Sequence, residues 1–154
     1  MAETTPDGKQ IVLSVLDPMK GKDRELARFA NDHIGELGWD VSPDGTRVVV
    51  FRDFDSHFQL LKLGSTEGPR EIQTKNGTRL RNLQWAADGK GLFASIPTPH
   101  GGKLAYVDLH GNLRLLWELR GHNVFLAARP SRDGGHLAIQ GSAGTSNMWI
   151  LESF

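Results

Sequence analysis

Apolar residues in this chain come in short runs rather than at helical spacing. Ile11–Val15, Val48–Phe51, Leu92–Ala94 and Leu137–Ile139 are almost continuously apolar. A run of that length and β-branched content predicts a strand covered on both faces. Each run follows the same small word. Asp-Gly stands at Asp7-Gly8, Asp44-Gly45, Asp88-Gly89 and Asp133-Gly134, at spacings of 37, 44 and 45 residues. The turns read TPDGK, SPDGT, AADGK and SRDGG. Ser or Thr suits the first position of a type I turn, Pro6 and Pro43 the second, Asp the third. Glycine then takes the left-handed conformation that makes a hairpin bulge. Each word therefore predicts a hairpin joining a first strand A to a covered strand B.

The flanks supply the remaining strands. Strand A is expected at Leu37–Val41, Leu80–Ala86 and Val124–Arg129, with Ala2–Thr5 too short for a good one. Strand C, with clearer alternation, is expected at Glu25–Phe29, Phe58–Leu63, Leu104–Leu109 and Met148–Leu151. Strand D is expected at Arg70–Thr74 and Leu113–Leu119, and more weakly at Asp32–Glu36. Four-stranded modules repeating at about this period indicate a β-propeller, one blade per repeat. The predicted fold is all-β, a single partial propeller spanning 1–154. Its blades are near 1–36 (incomplete), 37–79, 80–122 and 123–154 (lacking its last strand), about three and a half in all. Closed propellers have about four to eight blades. An open arc leaves edges that recruit other strands. The expected partner is a second copy of the chain or the missing blades of a longer parent.

The turns SPDGT and AADGK, the preceding GWDV and LQWA, and the ending SNMWILESF resemble the bacterial TolB-type, WD40-like propeller repeat over almost the whole chain. Proteins of this kind include C-terminal propellers of large bacterial serine/threonine kinases and winged-helix regulators. The resemblance implies a non-catalytic propeller that senses or binds. No kinase glycine loop, catalytic loop or winged helix is present in the sequence. The eukaryotic WD repeat is a poorer match, because Trp39-Asp40 lies in strand A and Gly121-His122 has no Trp-Asp mate.

Composition narrows the functions. The chain has 18 Lys and Arg against 18 Asp and Glu, so a global basic field for nucleic acid is absent and no direct nucleic-acid partner is expected. The balance is uneven: residues 1–40 hold five basic against eight acidic side chains, and 70–90 hold five against two. Without cysteine there are no disulfides, thiolate metal sites or cysteine nucleophiles. No apolar stretch approaches the about 20 residues of a membrane helix, so no membrane insertion is expected. Met1–Gln10 is polar and shows no signal peptide. That suits the cytoplasm, and a periplasmic place within a parent protein stays open.

Candidate chemistry is thin. His33, His57, His100, His110, His122 and His136 show neither metal-ligand spacing nor an HExxH, and are read as surface or turn residues. Asp17, Asp23, Asp53, Asp55 and Glu67 lack the alternating oxygens of a calcium loop. Ser42 and Ser131 sit in no nucleophile elbow. No catalytic residue, metal or cofactor is therefore assigned. Trp39 and Trp85 are expected to pack between blades, with a ligand-stacking platform as the alternative.

Topology says where binding would occur. In a propeller the B–C and D–A loops share one rim, and strand A lines the channel. The rim candidates are Asp53, Asp55 and His57, then Lys75, Asn76 and Arg79, then His100, Arg120 and His122. The channel candidates are Asp40, Asn82, Gln84 and Arg129. The expected function is a non-enzymatic binding or scaffold module for an unknown protein or small ligand, as the sensory half of a larger regulator. The alternatives are a half-propeller that dimerises into a ring of seven or eight blades, and an accessory propeller gating a hydrolase.

Overall fold

A computed structural model describes residues 1–31 and 37–144. Among the described residues, thirteen strands fall into four successive antiparallel sheets. Blade 1 contains β1 (Ala2–Thr4), β2 (Gln10–Asp17) and β3 (Gly21–Ala30). Blade 2 contains β4 (Leu37–Val41), β5 (Arg47–Arg52), β6 (His57–Lys62) and β7 (Arg70–Gln73). Blade 3 contains β8 (Arg81–Trp85), β9 (Gly91–Thr98), β10 (Gly101–Asp108) and β11 (Leu113–Arg120). Blade 4 contributes β12 (His122–Pro130) and β13 (Leu137–Gly144). One short 3-10 turn, Lys75–Gly77, links blade 2 to blade 3. The protein is an all-β propeller segment.

The four Asp-Gly hairpins are built alike. The glycine N–H donates to the carbonyl three residues back, at 2.8 Å for Gly8 and Gly45, 2.9 Å for Gly89 and 3.0 Å for Gly134. Their φ angles lie between +64° and +72°, a region that penalises any Cβ. In three of the turns a hydroxyl locks the corner. Thr5, Ser42 and Ser131 donate to Asp7, Asp44 and Asp133 at 2.6, 2.6 and 2.5 Å. These hydroxyl bonds hold all three carboxyls below the usual range, Asp44 at about 2. Ala86 replaces the hydroxyl in the third turn, where Asp88 still accepts from the Lys90 N–H at 2.9 Å.

The blades meet face to face. Between blades 2 and 3, Val49, Phe51, Phe58, Leu60 and Ile72 pack against Leu80, Leu83, Trp85, Leu92, Ala94 and Val107. Between blades 1 and 2, Leu13 packs on Val48, Val50 and Leu61, with Leu26, Phe29 and Leu37 half-buried around them. Between blades 3 and 4, a Cβ at Gly102 would come within 3.0 Å of Val124 and 3.1 Å of Leu126, so glycine admits the close approach there. Alternate faces of β5 serve two different seams, which is why its sequence lacks alternation.

Several boundaries differ from expectation. Strand C of blade 1 begins at Gly21, because Asp17 accepts from the Met19 and Lys20 N–H groups and turns the chain at once. The loop that carries the rim candidate His100 is only Pro99–His100, because β9 runs on to Thr98 and β10 starts at Gly101. Ala2–Thr4 does pair with β2, as a three-residue strand. Two-sided cover fails for β13, where Ile139 is exposed. Among the described residues β12 is its sheet neighbour and only blade 3 packs near it. Trp85 is 3% exposed, as a blade-packing residue should be, but Trp39 is 38% exposed. Trp39 and Val41 share the face of β4 directed away from the blade 2–3 core, and little covers them there. The expected strands at Asp32–Glu36 and Met148–Leu151 lie outside the described residues, as do His33 and Trp149.

Candidate functional site at the rim of blades 2, 3 and 4

Three loops converge where blades 2, 3 and 4 meet. The first, residues 53–56, joins β5 to β6. Its backbone is clasped to the start of blade 3: the Phe54 N–H donates to the Leu80 carbonyl and the Leu80 N–H to the Asp55 carbonyl, both at 2.8 Å. The clasp holds Phe54 at φ +69° with its ring exposed. A left-handed aromatic residue is a backbone outlier of the kind that collects at functional sites.

Next to it, β8 begins with a bulge. The register against β9 shifts between Arg81 and Gln84, and Asn82 sits at φ +51°. Asparagine tolerates that conformation better than most residues, and bulges re-aim side chains. Arg81 lies over the Phe54 ring at 4.6 Å and within 5.9 Å of the Phe125 ring centroid on blade 4. Its Nε donates to Asp53 Oδ2 at 3.1 Å, with Asp53 10% and Arg81 27% exposed. The Asn82 side chain donates to the Leu126 carbonyl at 3.0 Å and ties β8 to β12.

A cleft of about 490 Å³ opens over this cation. Its walls are Phe54 and Phe125, the Pro97–Pro99 corner, and the β11–β12 junction at Gly121, His122 and Val124. That junction is pinned by Gly121 N–H donating to the His100 carbonyl at 3.1 Å. The arrangement offers a held guanidinium, two aromatic rings, a proline shelf and an imidazole. It suits recognition of an acceptor-bearing, partly apolar ligand.

The candidates from sequence scatter around this cleft. Asp53 anchors its cation and His122 lines its wall. His100 is exposed beside it through its backbone bond, and Arg120 is exposed one residue from Gly121. Asp55 and His57 face the other way. The His57 ring approaches Asp55 at 3.8 Å, and both line a separate cleft against blade 1. Lys75 and Asn76 sit against the β10–β11 turn, where the Lys75 N–H donates to the Gly111 carbonyl at 2.9 Å. Arg79 is exposed between that turn and Leu80.

Of the channel candidates, Asp40 is a strut between inner strands. Its carboxylate accepts from the Trp85 N–H at 2.9 Å and its carbonyl from the Trp85 indole at 3.1 Å. Gln84 has a buried carbonyl oxygen without a partner among the described residues, and Arg129 is exposed on β12. Sequence reasoning missed Arg81, Phe54 and Phe125. The Arg81-Asn82 pair at the head of strand A was the available signal, since asparagine there permits the bulge.

Among the described residues no group of three or more His, Asp or Glu is placed to hold a metal ion. No helix of those residues is long and apolar enough to cross a membrane.

Neither a protein-family model nor a curated protein matches the sequence. Solved structures do. TolB from Acinetobacter baumannii superposes with a TM-score of 0.54 at 16% identity, over 92% of this chain and 42% of that one. A functionally unknown protein from Desulfotomaculum acetoxidans DSM 771 gives 0.52 at 18% identity, over 90% and 47%. A Bacteroides uniformis ATCC 8492 protein, provisionally named a 6-phosphogluconolactonase, gives 0.50 at 16%, over 90% and 46%. The fold is that of a β-propeller, shared with TolB. The chain spans about half the length of the structures it matches. At these identities the likeness extends to the fold and not to activity.

Proposed function

We propose that this chain is a non-enzymatic binding module whose ligand enters the Arg81 cleft. The reading rests on one observation: a guanidinium fixed between Phe54 and Phe125 and held by Asp53 at the floor of an open cleft. Asp53 and Arg81 are committed to each other, which suits neither for moving protons and both for presenting a rigid surface. His122 lines the cleft, and the exposed His100 and Arg120 are chain neighbours of its lining residues Pro99, Gly101 and Gly121. The favoured ligand is an extended acidic protein segment with an apolar residue to lie on the prolines and rings. A sensory role within a larger bacterial regulator is compatible with this reading.

The test is a fluorescence-polarisation titration with acidic and neutral extended peptides. Binding of the acidic set should weaken with salt. It should fall about tenfold or more in Phe54→Ala, and less in Arg120→Ala. Equal affinity for neutral and acidic peptides, or an unchanged affinity in Phe54→Ala, would reject it.

A second reading concerns assembly. The matched structures are about twice as long, and Ile139 on β13, in blade 4 at one end of the arc, is exposed. Both favour completion of the ring by further blades, of a second copy or of a longer chain. A solution mass near twice 17.0 kDa supports the second copy, and a monomer excludes it for this chain.

A further inference from the structure

The face of blade 2 that looks toward blade 1 carries a second cleft, of about 180 Å³, which the Arg81 site does not use. Strand register sets its polar wall. Val50 pairs with Gln59, and Arg52 pairs with Leu37 on the other side, so Val50, Arg52 and Gln59 lie on one face. Phe29 of blade 1 and Leu37 supply the apolar wall, and Asp55 and His57 close the rim end.

Two atoms in this wall are unspent. Arg52 uses one guanidinium arm to donate to the Ala30 carbonyl of blade 1. Its other terminal nitrogen, Nη1, is buried without a partner among the described residues, and so is Gln59 Oε1. A buried cationic donor and a buried amide acceptor, both idle in one cleft, are unusual in a folded protein and call for an occupant that satisfies both.

We infer that this cleft binds a small free amino acid. The carboxylate accepts from Arg52 Nη1, and the ammonium donates to Gln59 Oε1 with the Asp55 charge nearby. An aliphatic side chain rests on Phe29 and Leu37. The volume sets the size: a cavity of roughly 150 Å³ accommodates benzene, so the ligand has about six to eight non-hydrogen atoms, the range of alanine to valine. A carboxylate without the ammonium leaves Gln59 idle, and an amine without the carboxylate leaves Arg52 idle.

Isothermal titration calorimetry with alanine, valine, isobutyrate and isobutylamine tests this, together with the Gln59 side-chain amide resonance as a local reporter. Valine or alanine should bind saturably and shift that resonance, while isobutyrate and isobutylamine bind at least tenfold more weakly. Arg52→Met should abolish the binding. Because Arg52 also ties blade 1 to blade 2, Gln59→Leu is the companion variant. It touches only the cleft and should weaken valine binding at least tenfold with an unchanged spectrum elsewhere. No saturable heat up to millimolar amino acid, as water alone in the cleft would give, overturns the inference. So does equal binding of valine and isobutyrate, or full affinity in Gln59→Leu.

Discussion

The seam between blades 2 and 3 and the seam between blades 1 and 2 use opposite faces of the same strand, β5, and are finished differently. On the blade 3 side the core is continuous, and Asp40 and Arg47 brace it with paired polar groups. Asp40 accepts from the Trp85 backbone at 2.9 Å, and the Trp85 indole returns a bond to the Asp40 carbonyl at 3.1 Å. Arg47 lies 4.7 Å over the Trp85 ring and donates to the Gly89 carbonyl at 2.9 Å. On the blade 1 side the core is smaller, and it gives way toward the rim to a cleft with an idle Arg52 nitrogen and an idle Gln59 oxygen. Close packing with satisfied polar groups makes a rigid joint. The second seam keeps unsatisfied groups at a cavity, which costs stability and leaves something to bind. Blades 2 and 3 therefore form the scaffold, and the flanking seams hold the candidate sites.

Truncation should separate the two seams most strongly. Trp85→Ala should lose about 3–5 kcal/mol in urea unfolding, while Leu61→Ala on the blade 1 side should lose about 2–3 kcal/mol. A loss below about 1 kcal/mol for Trp85→Ala would mean that its seam is not the scaffold. Asp40→Ala comes next. It leaves the Trp85 N–H without its carboxylate partner and should cost about 1–3 kcal/mol by the same melt. Gln59→Leu should do the reverse. Replacing an idle buried amide with an apolar side chain should leave stability unchanged or raise it by up to about 1 kcal/mol, and a loss as large as that of Asp40→Ala would erase the contrast.

The smallest effect is titration at the hairpin corner below the scaffold seam. The folded Asp44 carboxyl sits at about 2, lowered first by the Ser42 hydroxyl and then by the Thr46 N–H. A depressed carboxyl contributes stability above its unfolded pKa, near 3.8, and loses it as pH falls toward 2. Acid unfolding of the wild type should therefore be steeper between pH 4 and 2 than that of Asp44→Asn. Identical slopes would show that the corner is not coupled to folding.

How much could be read beforehand differs between these regions. The Asp and Gly of each hairpin are set by local turn chemistry, so these residues announced the turns, and the run Val48–Phe51 announced a strand shared by two seams. Trp85 was legible as a packing residue, whereas the exposure of Trp39 was not, since the two occupy similar sequence contexts. Asp53 and His122 were named as rim residues. Their meeting around Arg81 was not foreseen, because it depends on Asn82 bulging β8 and on Phe125 arriving from the next blade. The idle atoms of Arg52 and Gln59 had no signal in the sequence, since being unpaired is a property of the surroundings.

From the amino acids alone come the hairpins, the strand identities and the repeat, because each depends on residues within a few positions of one another. Packing of one blade on the next decided which polar side chains became struts, which became an anchored cation and which were left idle. Those outcomes depend on contacts between residues about 20 to 45 positions apart, such as Asp53 with Arg81 and Asp40 with Trp85, and no local rule reaches that far.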